Sequence, residues 1–335
     1  MMDKIAVIGA GSWGTTLANL LAKKGHPVTL WAYEPEVASA IEEHRENPQF
    51  LPGIALDARL RATSDLAEAV PGADVIVVVS PSQHVRRVMG EAARYVPDRA
   101  LIVSASKGIE TTTLKTMAEV LSETLPGGER RTCFLSGPSF ALEVAQEQPT
   151  AVTVAAEDEA VARRAQELFQ TDYFRVYTTD DVRGVELGGA LKNVIALAAG
   201  MVVGLGFGHN TMAALITRGL AEITRLGIAL GARPLTFAGL AGMGDLILTC
   251  TGALSRNRRV GMLLAEGRSL DEILAEMKMV AEGVATTRAA YALAAREGVE
   301  MPILAEVHAV LFEGRHPRDA VVNLMMREPK AELWR

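Results

Sequence analysis

Residues Lys4–Leu21 read KIAVIGAGSWGTTLANLL, and the reading of this stretch decides the fold. Ile5–Ile8 is a short apolar run rich in β-branched residues, the pattern of a buried strand. Gly9, Gly11 and Gly14 follow in the spacing G-x-G-x-x-G, and a helical pattern begins at once behind them. Strand, glycine turn and helix in that order are the context that makes the spacing a dinucleotide-binding signature. Gly9 permits a tight turn, Gly11 leaves room for a pyrophosphate, and Gly14 lets the helix pack close to the strand. The helix start then offers unpaired N–H groups and a partial positive charge to phosphate. An ordinary strand–helix turn is the alternative.

Outward from this unit, Gly25 suits a helix C-terminus and Val28–Ala32 reads as a second strand. Glu34 lies 20 residues beyond Gly14, where a carboxylate can meet an adenosine ribose 2′-OH. It also suits the start of a helix before Pro35. Tyr33 is placed to stack on adenine, and Ala32–Glu34 holds no arginine for a 2′-phosphate. NPQFLPG at Asn47–Gly53 reads as a loop, Ser64 as the cap of a short helix, and Pro81 as the start of another. Further strands are expected at Asp74–Ser80, Ala100–Ser104, Cys133–Leu135, Ala151–Ala155 and Phe174–Tyr177, with helical patterns between most of them. This alternation implies a mainly parallel, doubly wound α/β sheet, a Rossmann domain over residues 1–180.

After Tyr177 the alternation stops. Helices are expected at about 181–203, 210–230, 256–266, 270–276, 285–297, 303–313 and 317–327, giving an all-helical second domain over 181–335. The junction near residue 180 carries no Pro/Gly/Ser linker. A length of 335 residues agrees with about two domains. The net charge of -6 argues against non-specific nucleic-acid binding. Two cysteines, Cys133 and Cys250, are too few for a disulfide framework and read as inert free thiols. Val194–Gly208 is apolar, but it is 15 residues long with four glycines, against about 20 for a membrane span. A soluble cytoplasmic protein is expected. No histidine or cysteine spacing suggests a metal site.

Ligands of such sheets lie outside the carboxyl ends of the strands. Two polar clusters are expected there: SASKG at Ser104–Gly108, with Lys107, and SGPS at Ser136–Ser139, with Gly137. Lys107 could equally be solvated, and Ser139 could be a helix cap. Lys192, in ELGGALKN at Glu186–Asn193, heads a stretch to Thr217 with no formally charged residue. Burial there lowers a lysine's pKa toward the range of a proton donor or acceptor, unless the chain snorkels to water. LAGMGD, Leu240–Asp245, places Asp245 after a glycine-rich turn, where it could orient Lys192 and a substrate hydroxyl. SRNRR at Ser255–Arg259 combines a helix cap with guanidinium forks, a phosphate-binding combination, though at least one arginine there reads as solvated.

At these residues the chain resembles the bacterial NAD(P)-dependent glycerol-3-phosphate dehydrogenase family over nearly its whole length. GAGSWGTTLA, NPQFLPG, SASKGIE, SGPSFA, ELGGALKN, GDLILTC and SRNRRVG occur in the family's order. The resemblance implies a Rossmann domain, an all-helical second domain, a homodimer, and reduction of dihydroxyacetone phosphate to sn-glycerol 3-phosphate for phospholipid synthesis. It casts Lys192 as proton donor/acceptor and places Lys107, Gly137, Ser139, Asp245, Ser255, Arg256 and Asn257 around the substrate. It makes Ser12, Trp13, Tyr33, Lys107, Ala141, Arg256, Val280 and Glu282 cofactor contacts, beside Gly9, Gly11 and Gly14. Many NADP-using relatives carry a basic residue near Tyr33, where this chain has Ala-Tyr-Glu, so NAD(H) and NADP(H) both stay open. Competing readings are a 3-hydroxyacid or ketopantoate reductase, for which SRNRR is the wrong anchor, and a silent dinucleotide-sensing module, which would not need Lys192 and Asp245.

Overall fold

The structure is a computed structural model that describes residues 2–125, 127–277, 279–329 and 331–332. Eight strands form one sheet: β1 (Ile5–Ile8), β2 (Val28–Trp31), β3 (Leu60–Thr63), β4 (Val75–Val78), β5 (Leu101–Ser104), β6 (Thr132–Ser136), β7 (Thr150–Ala155) and β8 (Phe174–Thr179). Their order is β3-β2-β1-β4-β5-β6-β7-β8. Every pairing is parallel except β6 with β7. β1, β4 and β5 are buried along their whole length, which is why they read as unbroken apolar runs rather than alternating ones. The chain moves outward from β1 to β3 and returns to place β4 against β1. The strand order therefore reverses at the glycine turn that closes β1, the position where open α/β sheets take their ligands.

β3, Leu-Arg-Ala-Thr, is not among the strands expected from the sequence. It is a four-residue edge strand with one partner and one buried residue, too little pattern to read. The cap of the next helix, Leu66–Ala69, is Asp65 rather than Ser64: its carboxylate accepts the Ala67 N–H at 2.8 Å. Pro81 is the cap position of a helix that begins at Ser82. At the other edge, the N–H of Val176 donates to Gln170 Oε1 and its carbonyl accepts from Gln166 Nε2, at 3.0 and 2.7 Å. Two glutamines thus occupy backbone groups that another strand would otherwise pair with.

From Val182 onward every described element is helical. The central helix, Val182–Gly204, is buried on nearly all sides. It is long and apolar enough to cross a membrane by length and composition, and 89% of its apolar window is packed inside the protein. The 15-residue apolar stretch noted in the sequence lies partly within this 23-residue helix. Helix Arg256–Ala265 crosses it so closely that a Cβ on Gly261 would stand 2.0 Å from the Leu197 carbonyl oxygen. A second departure from expectation lies at 234–251. Three helical pieces stand where the sequence suggested a glycine-rich turn: Pro234–Phe237, a π-helical turn at Leu240–Gly244, and Asp245–Thr251. A Cβ on Gly188 would lie 2.6 Å from the Ala241 carbonyl oxygen, so the π turn lies directly against the central helix.

Candidate active site

The glycine loop has the shape that phosphate needs. Gly9 has φ +121°, and a Cβ there would meet Ser80 N at 2.9 Å. A Cβ on Gly14 would fall 1.8 Å from the Gly9 carbonyl oxygen, whereas one on Gly11 would meet nothing within 4 Å. The first and third glycines are therefore required by the protein's own packing, and the open space at Gly11 fits close approach by a pyrophosphate. Helix Ser12–Lys23 begins there with no side-chain cap. Ser12 Oγ donates to the Phe50 carbonyl at 2.5 Å, fastening the NPQFLPG loop beside the helix start. Trp13 packs against Phe174, and its buried Nε1 has no partner among the described residues. Thr16 Oγ1 donates to the Ala141 carbonyl at 3.1 Å, which brings the SGPSFA turn to the same helix.

Tyr33 stands at the end of β2, 64% exposed, edge-on to Trp31. Glu34 caps helix Pro35–His44 without a side-chain bond. Sequence order alone did not show a basic group here, but the fold supplies one. The Arg87 guanidinium, from helix Ser82–Ala92, lies 5.5 Å from the Tyr33 ring centre and also pairs with Glu91 one turn on, at 3.1 Å. Two further arginines of this domain, Arg45 and Arg61, bond to the Leu60 carbonyl and to Glu42.

Across the domain seam, three distant segments converge on one buried carboxylate. Asp245, 1% exposed, accepts from Lys192 Nζ at 2.5 Å through Oδ1 and from Lys107 Nζ at 2.7 Å through Oδ2. Lys107 also donates to the Gly137 carbonyl at 3.2 Å, as does Ser139 Oγ at 3.0 Å. Thr249, one turn beyond Asp245, accepts from Lys192 at 2.8 Å. No sequence pattern singles it out; its hydroxyl also makes an ordinary helical bond to the Asp245 carbonyl. Burial, opposed by Asp245 and aided by nearby Lys107, brings the Lys192 ammonium down from 10.5 to about 8. Burial alone would raise the Asp245 carboxyl, but the two lysines hold it below the usual carboxylate range. Cys250, next in the helix, is pushed up by burial to about 12, and burial likewise raises the Cys133 thiol; both are neutral.

Asn193 carries the cluster to the helix that starts at Arg256. Asn257 donates to Asn193 Oδ1 at 2.9 Å and accepts the Gly283 N–H at 2.9 Å, so its side chain is occupied in joining three helices. Ser255 caps that helix through the Arg258 N–H at 3.3 Å. Arg256 makes no ion pair or hydrogen bond among the described residues; the protein around it lowers its pKa, and Glu282 pulls the other way. Glu282 joins the two domains: its carboxylate accepts the Ser82 N–H at 2.9 Å and the Ser82 hydroxyl at 2.6 Å, and burial raises its pKa. Val280, half-exposed, lines a cavity of about 570 Å³ beside this seam that includes neither Lys192 nor the glycine loop. Among the described residues no group of His, Cys, Asp or Glu is arranged to hold a metal ion.

A glycine-cradled helix start at a sheet's switch point, facing a desolvated lysine–carboxylate–lysine cluster, defines a two-domain dinucleotide-dependent oxidoreductase. Residues 4–162 match the N-terminal domain, and 181–322 the C-terminal domain, of NAD-dependent glycerol-3-phosphate dehydrogenase. The chain belongs to that family. It is 64% identical over 333 residues to the glycerol-3-phosphate dehydrogenase [NAD(P)+] of Citrifermentans bemidjiense, covering 99% of each chain. The crystal structure of glycerol-3-phosphate dehydrogenase from Coxiella burnetii superimposes with a TM-score of 0.93 at 38% identity, covering 97% of this chain and 99% of that one. A ketopantoate reductase from Ralstonia eutropha shares the fold at 18% identity and a TM-score of 0.61.

Proposed function

We propose that this enzyme reduces dihydroxyacetone phosphate reversibly to sn-glycerol 3-phosphate with NADH or NADPH. In this reading residues 1–180 hold the dinucleotide and residues 181–335 hold the substrate. The observation that carries it is the Lys192–Asp245–Lys107 cluster beside the capped helix start at Ser255. Bound nicotinamide supplies the hydride to the ketone carbon. Lys192 donates a hydrogen bond to the carbonyl oxygen and passes it a proton as negative charge grows there. With a pKa near 8 it is mostly an ammonium at neutral pH, yet gives up its proton readily. Asp245 and Thr249 fix the ammonium's direction, and Lys107 offsets the carboxylate so that the cluster keeps a net positive charge toward the substrate.

Arg256, at the start of its helix and without an ion pair or hydrogen bond among the described residues, offers a guanidinium fork to the phosphate, with Ser255 and Asn257 ordering that helix start. Gly137 and Ser139 shape the opposite wall. Gly9, Gly11, Ser12, Trp13, Gly14, Tyr33, Lys107, Ala141, Arg256, Val280 and Glu282 line the dinucleotide's path. A phosphate anchor of this kind favours dihydroxyacetone phosphate over the carboxylate ketones of a ketopantoate reductase. We further read the enzyme as a cytoplasmic homodimer serving phospholipid synthesis, as the family resemblance implies. The test is consumption of NADH, and in parallel of NADPH, with dihydroxyacetone phosphate against ketopantoate. Turnover confined to the phosphorylated ketone supports the reading, and turnover confined to ketopantoate overturns it.

A further inference from the structure

Lys107 must reach Asp245 from a loop. β5 ends at Ser104 and the next helix starts at Met117, so the residues between them need some other support. Ser106 Oγ donates to the Ser80 carbonyl at 2.6 Å on the near side of Lys107, and the support on its far side comes from the first two turns of helix Ser82–Ala92. Gln83 Nε2 donates to the Ile109 carbonyl at 2.8 Å, while Gln83 Oε1 accepts from the Thr111 N–H at 3.0 Å and from the Thr111 hydroxyl at 2.9 Å. The backbone N–H of Thr111 can only donate, which fixes the direction of the amide. One turn on, Arg86 grips Glu110 with two parallel bonds, at 2.8 and 2.9 Å, and also reaches Glu123. Glu110 is 5% exposed, and hydrogen bonding from Arg86 holds its carboxyl below the usual range. Ile109 is fully buried in the core of the helical domain.

The same helix start also holds the other domain through Ser82 and Glu282. Gly108 packs against it so closely that a Cβ there would stand 2.2 Å from Ser82 Oγ. Three consecutive features of one helix, Ser82, Gln83 and Arg86, therefore set where the Lys107 loop and the Glu282 segment lie relative to each other.

We propose that Gln83, supported by the Arg86–Glu110 pair, is a positioning residue for the reaction: it holds Ile109–Thr111 so that Lys107 stays on Asp245. The proposal rests on the reading of Lys107 and Lys192 given above. Its consequence for catalysis follows from charge. The groups facing Lys192 are Asp245 and the neutral Cys250 thiol from one helix and Lys107 from the loop, with Arg258 acting on Cys250 from the next helix. Among these, Lys107 repels the Lys192 proton. If the loop relaxes and Lys107 withdraws, Lys192 holds its proton more tightly and the basic limb of the reduction profile moves to higher pH. A small displacement of a positioned group can lower rate by up to about a hundredfold.

The experiment compares wild type with Gln83→Ala, Gln83→Glu and Lys107→Ala. Steady-state reduction of dihydroxyacetone phosphate is measured across pH, together with NADH binding by fluorescence and the melting temperature. Gln83→Glu keeps the size of the side chain but places a carboxylate oxygen against the Ile109 carbonyl, so it tests the contact even if Gln83→Ala folds poorly. The expected result is a fall of about tenfold in kcat/KM in both Gln83 variants. Their basic limb should shift upward in the same direction as in Lys107→Ala, with NADH affinity within about twofold of wild type. If Lys107→Ala moves the limb while both Gln83 variants keep the wild-type profile and differ only in melting temperature, Gln83 has a structural role alone and the proposal is wrong. If Lys107→Ala itself leaves rate and profile unchanged, the reading of Lys107 fails, and the proposal with it.

Discussion

The glycine loop at Gly9–Gly14 and the charged cluster around Lys192 meet negative charge in different ways. The loop does so with backbone: N–H groups at a helix start, room at Gly11, and no titratable side chain within the loop itself. The cluster does so with side chains taken out of water, two ammoniums about one carboxylate, drawn from positions 107, 192 and 245. Backbone donors cannot change protonation state near neutral pH, so the loop binds without adding pH dependence. The buried lysine can, and its burial sets the range in which it does so. In the proposed mechanism binding falls to a local motif and proton transfer to a tertiary assembly, and the two should respond differently to substitution.

The largest effect is expected at Lys192. Lys192→Ala should lower kcat for dihydroxyacetone phosphate reduction by about a hundredfold or more while NADH still binds, because a donor at the developing charge is lost and the glycine loop is untouched. Near-normal kcat in this variant would remove the distinction between the two regions. Next comes Arg256→Lys, which keeps the charge and loses the planar fork. A fall of about tenfold or more in kcat/KM is expected, with NADH affinity measured alongside; an unchanged kcat/KM would place the phosphate elsewhere.

The smallest effect concerns the adenosine end, where Glu34 and Arg87 flank Tyr33 with opposite charge. At this open edge screening leaves about 1 kcal/mol for either charge. Glu34→Ala should favour NADPH by a few-fold and Arg87→Ala should favour NADH by a similar amount, read as the ratio of kcat/KM for the two cofactors at low salt. A wild-type NADPH preference above about tenfold would show that Glu34 points away from the ribose.

The same contrast explains what the sequence disclosed. The strands of the sheet interior were legible because two-sided burial writes them as apolar runs. The glycine loop was legible because all its parts are adjacent in the chain. Lys192 stood out by the absence of charge after it. The edge strand Leu60–Thr63 did not, since one partner and one buried residue leave no pattern. Nor did the helical form of Leu240–Thr251. Its glycines suggest a turn, and only the fold shows what they serve: a Cβ on Gly242 would strike the Phe237 backbone within 2.4 Å, so packing rather than propensity sets the π turn. Lys107 and Asp245 are separated by 138 residues, and no spacing rule links them. Arg87 and Thr249 were invisible for the same reason, each being an unremarkable helical residue until the neighbouring element is in place.

The central claim is that Lys192, desolvated but held by Asp245, carries the reaction's proton. Reduction requires its ammonium and oxidation its free amine, so the two directions must respond to pH with opposite sign. Measured as kcat/KM across pH 6–10 in wild type and Lys192→Ala, reduction should fall as pH rises through about 8, and oxidation of sn-glycerol 3-phosphate should rise through the same range. Both limbs should be absent from the residual activity of the variant. Limbs that persist unchanged in Lys192→Ala would assign the proton to another group and contradict the account.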